Sequence, residues 1–367
     1  MDAAEQLALI THGERYDMSF LQESHLRGLI ALTHARRGDV GRAEQVLAVM
    51  GEIGTPKHFD ASYYAIPYHI ARARVALERF EAGLARQHLD LVAPHWRTME
   101  LWPLALEIRA TIDWHTSGPH MALLTLREGR AEKRSNPPIG SAMSAMLNAL
   151  EAELVLAADS ASEAAALLTP SRVRRSPRLV VPRSRALLLA GRWEQAANLA
   201  DRHSQRRSLP WSHRVDLMLI SASANLRAGD RESAQERFDR AVEIASLTKT
   251  RTAFSTMPRT DFLTLSDGHP ELVDQITPIP PLYPTPGDDV ALSRRELRVL
   301  AELAGDATLT EIAGTLSVST NTLKSQLRSV YRKLGASSRR EAVQIGRRRG
   351  LLFVAEDEGD LLGGRRP

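Results

Sequence analysis

Lys324, Arg328 and Arg332 recur every four residues, and no acidic residue occurs between Glu311 and Glu341. On a helix that spacing sets the three cations in one row. Leu323, Leu327, Val330 and Leu334 fall at i, i+4, i+7 and i+11 of the same stretch, a second and apolar face. The apolar face must pack on other elements, so the cationic one points outward beside Asn321, Thr322, Ser325 and Gln326. Ammonium, guanidinium, amide and hydroxyl groups on one exposed face are the donors that hold phosphates and read base edges. The plain alternative is a solvated basic stripe, and the surrounding residues decide between the two.

Three neighbouring segments open on a hydroxyl followed three residues later by glutamate: Ser293 and Glu296, Thr308 and Glu311, Ser338 and Glu341. In such a capping box the hydroxyl accepts from the N3 amide and the glutamate reaches back to the N-cap amide, so orphan donors are satisfied locally. Ser319 is a further N-cap candidate ahead of the basic stretch. These signals predict four short helices, at about 293–304, 308–316, 319–334 and 338–349. Only Ser317 and Val318 separate the second from the third. A short helix, a tight turn and a longer basic helix make a helix-turn-helix, whose second helix enters the major groove. Leu297, Leu300, Ile312, Leu316, Val318, Leu323, Leu327, Val330, Leu334 and Val343 are expected to fill its core. Residues 291–350 hold 12 Lys+Arg against 5 Asp+Glu, whereas the whole chain holds 48 against 44. The positive field is thus concentrated in this module, as a nucleic-acid interface requires.

The stretches Ser293-Arg-Arg-Glu296-Leu-Arg-Val-Leu300, Glu311-Ile-Ala313, Ser319-Thr-Asn-Thr322-Leu-Lys324, Tyr331-Arg-Lys-Leu-Gly335 and Arg339-Arg-Glu341-Ala342 resemble the LuxR-type DNA-binding domain over about sixty residues. The resemblance implies a sequence-specific transcriptional regulator. It implies that Lys324, Ser325 and Arg328 face base edges and that Asn321 and Thr322 lie near phosphates. Thr320, Gln326, Arg332 and Lys333 complete the set expected against double-stranded DNA. The last helix is then available for a homodimer on DNA, through Arg339, Val343 and Arg347. Two positions depart from the family: Thr310 stands where a lysine is usual, and Gln326 where a histidine is usual.

What remains is three quarters of the chain. At 367 residues it can form two or more domains. Scarce aromatics and abundant alanine, leucine and arginine favour an all-α fold. Without cysteine there is neither a disulfide framework nor a thiolate metal site. No apolar run reaches bilayer length and Met1-Asp-Ala-Ala-Glu5 lacks the basic start of a signal peptide, so a cytoplasmic protein with no membrane partner is expected.

Internal repetition organises the first 250 residues. A helix ends near a glycine or polar break, and the next carries a small residue where the two would cross. The clearest copies are Ala35-Arg-Arg-Gly38-Asp-Val-Gly-Arg-Ala43, Leu189-Ala-Gly191-Arg-Trp-Glu-Gln-Ala196 and Arg227-Ala-Gly229-Asp-Arg-Glu-Ser-Ala234. Weaker copies place the small residue at Ala85, Ala122 and Ala164, which gives separations of 42, 37, 42, 32 and 38. That period predicts a right-handed solenoid of about six helix hairpins. The copies resemble tetratricopeptide repeats, and the whole resembles the C-terminal part of the large ATP-binding LuxR regulators.

The resulting division is a helical-repeat sensor or interaction domain at 1–256, a proline-rich linker at 257–290, the helix-turn-helix domain at 291–352 and a disordered tail at 353–367. Seven prolines fall between Pro258 and Pro286 and the stretch after Ile276 is too proline-dense for helix, so the linker is expected to act as a semi-rigid extended spacer. Arg172 to Arg185 reads as a solvated connection between hairpins. Tyr63, Tyr64, Tyr68, Trp96, Trp102 and Trp114 read as inter-helix packing, or as anchors for a ligand or protein partner on the inner surface.

No Gly-Lys dipeptide of a phosphate-binding loop occurs, nor any His-Glu-x-x-His or Gly-x-Ser-x-Gly. No catalytic residue, metal site or cofactor is therefore expected, and the chain is read as a binding protein rather than an enzyme. The competing reading is a helical-repeat interaction scaffold that lacks DNA-binding function. Lys324 and Arg328 speak against it.

Overall fold

The computed structural model describes residues 20–53, 60, 62–133, 141–158, 160–283, 294–305, 307–316, 318–334, 336 and 338–348. Among them the elements are α-helices and short 3-10 turns, with no strand. No described helix is long and apolar enough to cross a membrane. The expected tail at 353–367 and Ser293 of the first capping pair lie outside the described residues. The chain divides between residues 285 and 286 into two compact units.

The first unit is a succession of helix pairs. They are α1 (Phe20–Arg36) and α2 (Val40–Ile53), α3 (Ile66–Glu78) and α4 (Ala82–Val92), α5 (Trp102–Ser117) and α6 (Pro119–Glu132), and α7 (Ser141–Ala157) and α8 (Ala161–Leu167). A short α9 (Pro170–Arg175) precedes α10 (Val180–Leu189) with α11 (Trp193–Ser204), and α12 (Trp211–Ala228) with α13 (Arg231–Thr248). The six small residues singled out by spacing, Ala43, Ala85, Ala122, Ala164, Ala196 and Ala234, are each 2% exposed or less. A methyl side chain lets two helix backbones approach closely, so a larger group at any of them would force the pair apart.

The pairs do not form an open array. Trp211 N–H donates to the Arg37 carbonyl at 2.7 Å, and the Thr250 hydroxyl donates to the Gly38 carbonyl at 2.8 Å. Lys249 Nζ meets Glu44 at 2.6 Å, and the buried Glu78 carboxylate accepts from the amides of Arg251 and Thr252 at 2.8 and 3.0 Å. The first described pair is thereby latched to the last. Gly38 fits this seam because its φ is +76° and a Cβ there would lie 2.7 Å from the Ser212 amide nitrogen.

Two expectations are corrected. Residues 257–283 are not a spacer: α14 (Arg259–Leu265) and α15 (Pro270–Ile276) bury Phe262, Leu265 and Ile276 against Phe238 and Phe254. Pro258 is the N-cap of α14 and Pro270 opens α15, positions where a missing amide costs nothing. Beyond them Leu282 N–H bonds the Ser255 carbonyl at 2.9 Å, and Tyr283 is buried.

Arg172 to Arg185 is likewise not a solvated connection. It runs through α9, a 3-10 turn and the start of α10 to end on the buried Arg185. That guanidinium meets Glu153 at 2.9 Å, Asp216 at 3.1 Å and the Thr256 carbonyl at 3.1 Å, and lies over the Tyr283 ring. The Tyr283 hydroxyl donates to the same Glu153 carboxylate. Its acids stand 31 and 32 residues away in sequence, so no local pattern announces them. Of the aromatic group, Tyr68, Trp102 and Trp114 are buried, with Trp96 edge-on to Trp102 and Trp114 edge-on to Tyr283. Tyr63 and Tyr64 alone of the six are exposed, so no shared aromatic ligand surface forms.

The inner face holds a partly open cavity. Its volume is about 160 Å³, and it is lined by the first helix of every pair, α1, α3, α5, α7, α10 and α12, together with residues 252–256 and Leu282. Burial pushes His115 down to about 4 and His213 down to about 3, the latter helped by the charges of Arg178 and Arg74. Burial, with His69 and Arg72 adding to it, holds His88 at about 4. All three stay neutral in the folded unit while their unfolded counterparts charge near pH 6.5. Asp216 works the other way, since burial raises it to about 6 against the pull of Arg185. Three histidines outweigh one carboxyl, so unfolding near pH 5 should take up about two protons net, and stability should fall as pH drops from 7 to 4. Urea midpoints across that range check this, and a His115→Gln variant should lose about one proton of the dependence.

Candidate nucleic-acid interface

Four helices form the second unit: α16 (Arg294–Leu303), α17 (Leu309–Thr315), α18 (Thr320–Leu334) and α19 (Arg339–Arg348). Thr308 and Glu311 close a full capping box at the start of α17, and these hydrogen bonds hold the Glu311 carboxyl below its usual value. Ser319 Oγ accepts the Thr322 amide at 3.1 Å and caps α18, while Ser338 Oγ accepts the Glu341 amide at 3.2 Å and caps α19. Between α17 and α18 the Val318 amide returns to the Ala313 carbonyl, which makes the turn tight.

The core follows the apolar stripes. Leu300, Ile312, Leu323, Leu327, Val330 and Leu334 are buried, joined by Val299, Leu303, Ala342 and Ile345. Leu316, Val318 and Val343 pack half-buried at its edge. Helix α18 lies against α16, α17 and α19, so its apolar face is fully used.

The opposite face carries the predicted donors. Thr320, Thr322, Lys324, Ser325 and Arg328 are exposed and Gln326 is half-buried. Lys324 and Arg328 have no ion-pair or hydrogen-bond partner among the described residues. The side chains of Asn321, Arg332, Lys333 and Arg347 lie outside the described set. The Thr322 hydroxyl is engaged with Ser319 Oγ at 2.8 Å.

Two side chains make contacts that the sequence reading did not announce. Glu296, read as the return partner of Ser293, which lies outside the described residues, is 7% exposed and accepts from the Ser329 hydroxyl at 2.6 Å. The bond ties α18 to α16 one residue from Arg328. A signal existed: Glu296 falls on the stripe of Val299, Leu300 and Leu303, and a carboxylate on a buried stripe needs a partner. Arg339, expected at a dimer face, donates instead to the carbonyls of Leu303, Gly305 and Ala307 at 3.0, 2.7 and 2.7 Å. It caps the C-terminus of α16 from 32 to 36 residues away.

Residues 290–345 match the family of bacterial regulatory proteins described as the luxR family. The transcriptional regulatory protein YdfI of Bacillus subtilis is 42% identical over 67 residues, 18% of this chain and 32% of its own length. The HTH-type transcriptional activator RamA of Corynebacterium glutamicum is 47% identical over 83 residues, 22% of this chain and 28% of its own. The chain thus spans about a third of the length of the curated relatives it matches.

Proposed function

From a LuxR-family domain at residues 290–345 we infer that the chain is a sequence-specific DNA-binding transcriptional regulator, with α18 in the major groove. The observation that carries this is the exposed, unpartnered cationic row of Lys324 and Arg328 on a helix whose other face is buried in the domain core. Arg328 reads a base, and the α18 N-terminus with Asn321 and Thr322 holds the phosphate backbone. The domain works as a homodimer on paired half-sites, with α19 as the contact and with Arg339 reserved for its own domain. The first unit senses a ligand or a protein partner and sets how readily two readers are juxtaposed. The scaffold alternative leaves the exposed cations without a purpose.

Fluorescence anisotropy of the full chain on a labelled mixed-sequence duplex tests the reading. Affinity should fall linearly on a log-log salt plot, with a slope of about 0.9 for each phosphate neutralised. Binding that is absent, or indifferent to salt, would overturn it.

A further inference from the structure

The partly open cavity on the inner face of the first unit has a charge pattern that its own residues do not complete. Each of its four carboxylates is engaged. Glu78 is held by the Arg251 and Thr252 amides, Glu107 by Arg74 at 2.5 Å, and Glu153 and Asp216 by Arg185. Two of the guanidiniums on its wall are not. Arg36 makes only a 3.8 Å contact with the weak acceptor Met143 Sδ, and Arg178 has no partner among the described residues. Neither has a carboxylate within 4.0 Å among the described residues, although both are half-buried. Desolvating a cation without an acceptor is unfavourable, and two at one site are worse. Burial lowers both from the usual arginine value, with Glu107 opposing and neighbouring arginines adding to it. Folded proteins tolerate such a corner where an anion is to be received. Met146, Leu150 and Val181 supply an apolar wall to the same space.

We propose that this cavity binds a small organic anion, a carboxylate on a short carbon body, with Arg36 and Arg178 on the carboxylate and the Met146–Leu150 wall against the carbons. A cavity of about 150 Å³ accommodates a benzene-sized molecule, so the roughly 160 Å³ here fits on the order of six to ten non-hydrogen atoms. A guanidinium pair engages carboxylate through paired N–H donors, and the apolar wall favours it over inorganic phosphate. The cavity is also touched by Leu282, next to the Tyr283 that closes on Glu153, where the chain leaves this unit. Ligand in the cavity therefore bears on the segment that leads to the reader. The inference rests on the reading of the first unit as the sensor and gives that sensor its ligand class.

The test is isothermal titration of the full chain, without DNA, with butyrate, succinate and inorganic phosphate, and with butyramide as the uncharged control. The carboxylates should bind at least ten times more tightly than butyramide and more tightly than phosphate. Arg36→Gln with Arg178→Gln should lose that binding while the ligand-free melting temperature stays equal or rises, because a repulsion has been removed. A purely structural pair would instead lower it. Should the double variant fold poorly, Arg178→Lys keeps the charge without the fork and should weaken butyrate at least several-fold. No anion bound at millimolar concentration, or butyrate bound equally by the double variant, overturns the site. DNA is absent from the titration, so a failure of DNA binding leaves this result standing on its own.

Discussion

Arg185→Ala should destabilise the first unit by about 3–5 kcal/mol, the range for removing one partner of a buried ion pair. The wild-type guanidinium answers Glu153, Asp216 and the Thr256 carbonyl at once, and it lies over the Tyr283 ring. Without it two half-buried carboxylates face each other with only the Tyr283 and Thr256 hydroxyls as donors. The loss should be larger at pH 7.5 than at pH 5, because Asp216, already raised to about 6 by burial, can then be neutralised by a proton. Urea denaturation followed by far-UV circular dichroism measures it, with the exposed Arg192→Ala as a control expected within about 0.5 kcal/mol of wild type. A cost under 1 kcal/mol for Arg185→Ala at pH 7.5 would mean that the cluster is not what holds Tyr283 and α10 in place. The second unit has its own core, so DNA affinity per half-site should not move.

Arg328→Ala should cost about 1–3 kcal/mol, roughly 5- to 150-fold in affinity, at one base pair of the preferred site. A guanidinium free of partners among the described residues, on the exposed face of a helix whose other face is buried, can take guanine bidentately, and alanine cannot. Selection from a randomised duplex library followed by sequencing reads the outcome as preference lost at one position with the others kept. Asn321→Ala is expected to differ in kind and weaken all sequences alike, since a phosphate contact carries no base information. Uniform loss from both variants would remove Arg328 from the recognition set. Glu296→Ala offers a graded version: freeing Ser329 should blur the preference without changing the charge of α18 itself.

Local periodicity and capping made most of the second unit legible. Helices anticipated at 308–316 and 319–334 lie at Leu309–Thr315 and Thr320–Leu334, and of the anticipated core residues other than Leu297, whose side chain lies outside the described set, six of nine are buried. The reason is that a small helical domain keeps its information within a turn or two of each residue. Ala43, Ala85, Ala122, Ala164, Ala196 and Ala234 were legible for the same reason. What escaped was set by partners far along the chain. Arg339 meets carbonyls more than thirty residues upstream, Arg185 meets acids on α7 and α12, and Tyr283 reaches Glu153 across 130 residues. Proline density misled because a proline that opens a helix and one that forbids it look alike in composition.

Latching of the first pair to the last changes how the unit should come apart. In a linear array each repeat touches only its neighbours, and the end repeats, held on one side, fray first. Here the seam of Gly38 with Thr250 and of Glu78 with Thr252 ties the first two described pairs to the segment that follows α13, across 212 and 174 residues of chain. Amide hydrogen exchange should then show α1 and α13 protected about as strongly as α7, with one opening free energy shared around the ring. The seam is also the last contact folding can form, because its loop closure spans most of the unit, which makes it the slow step in refolding.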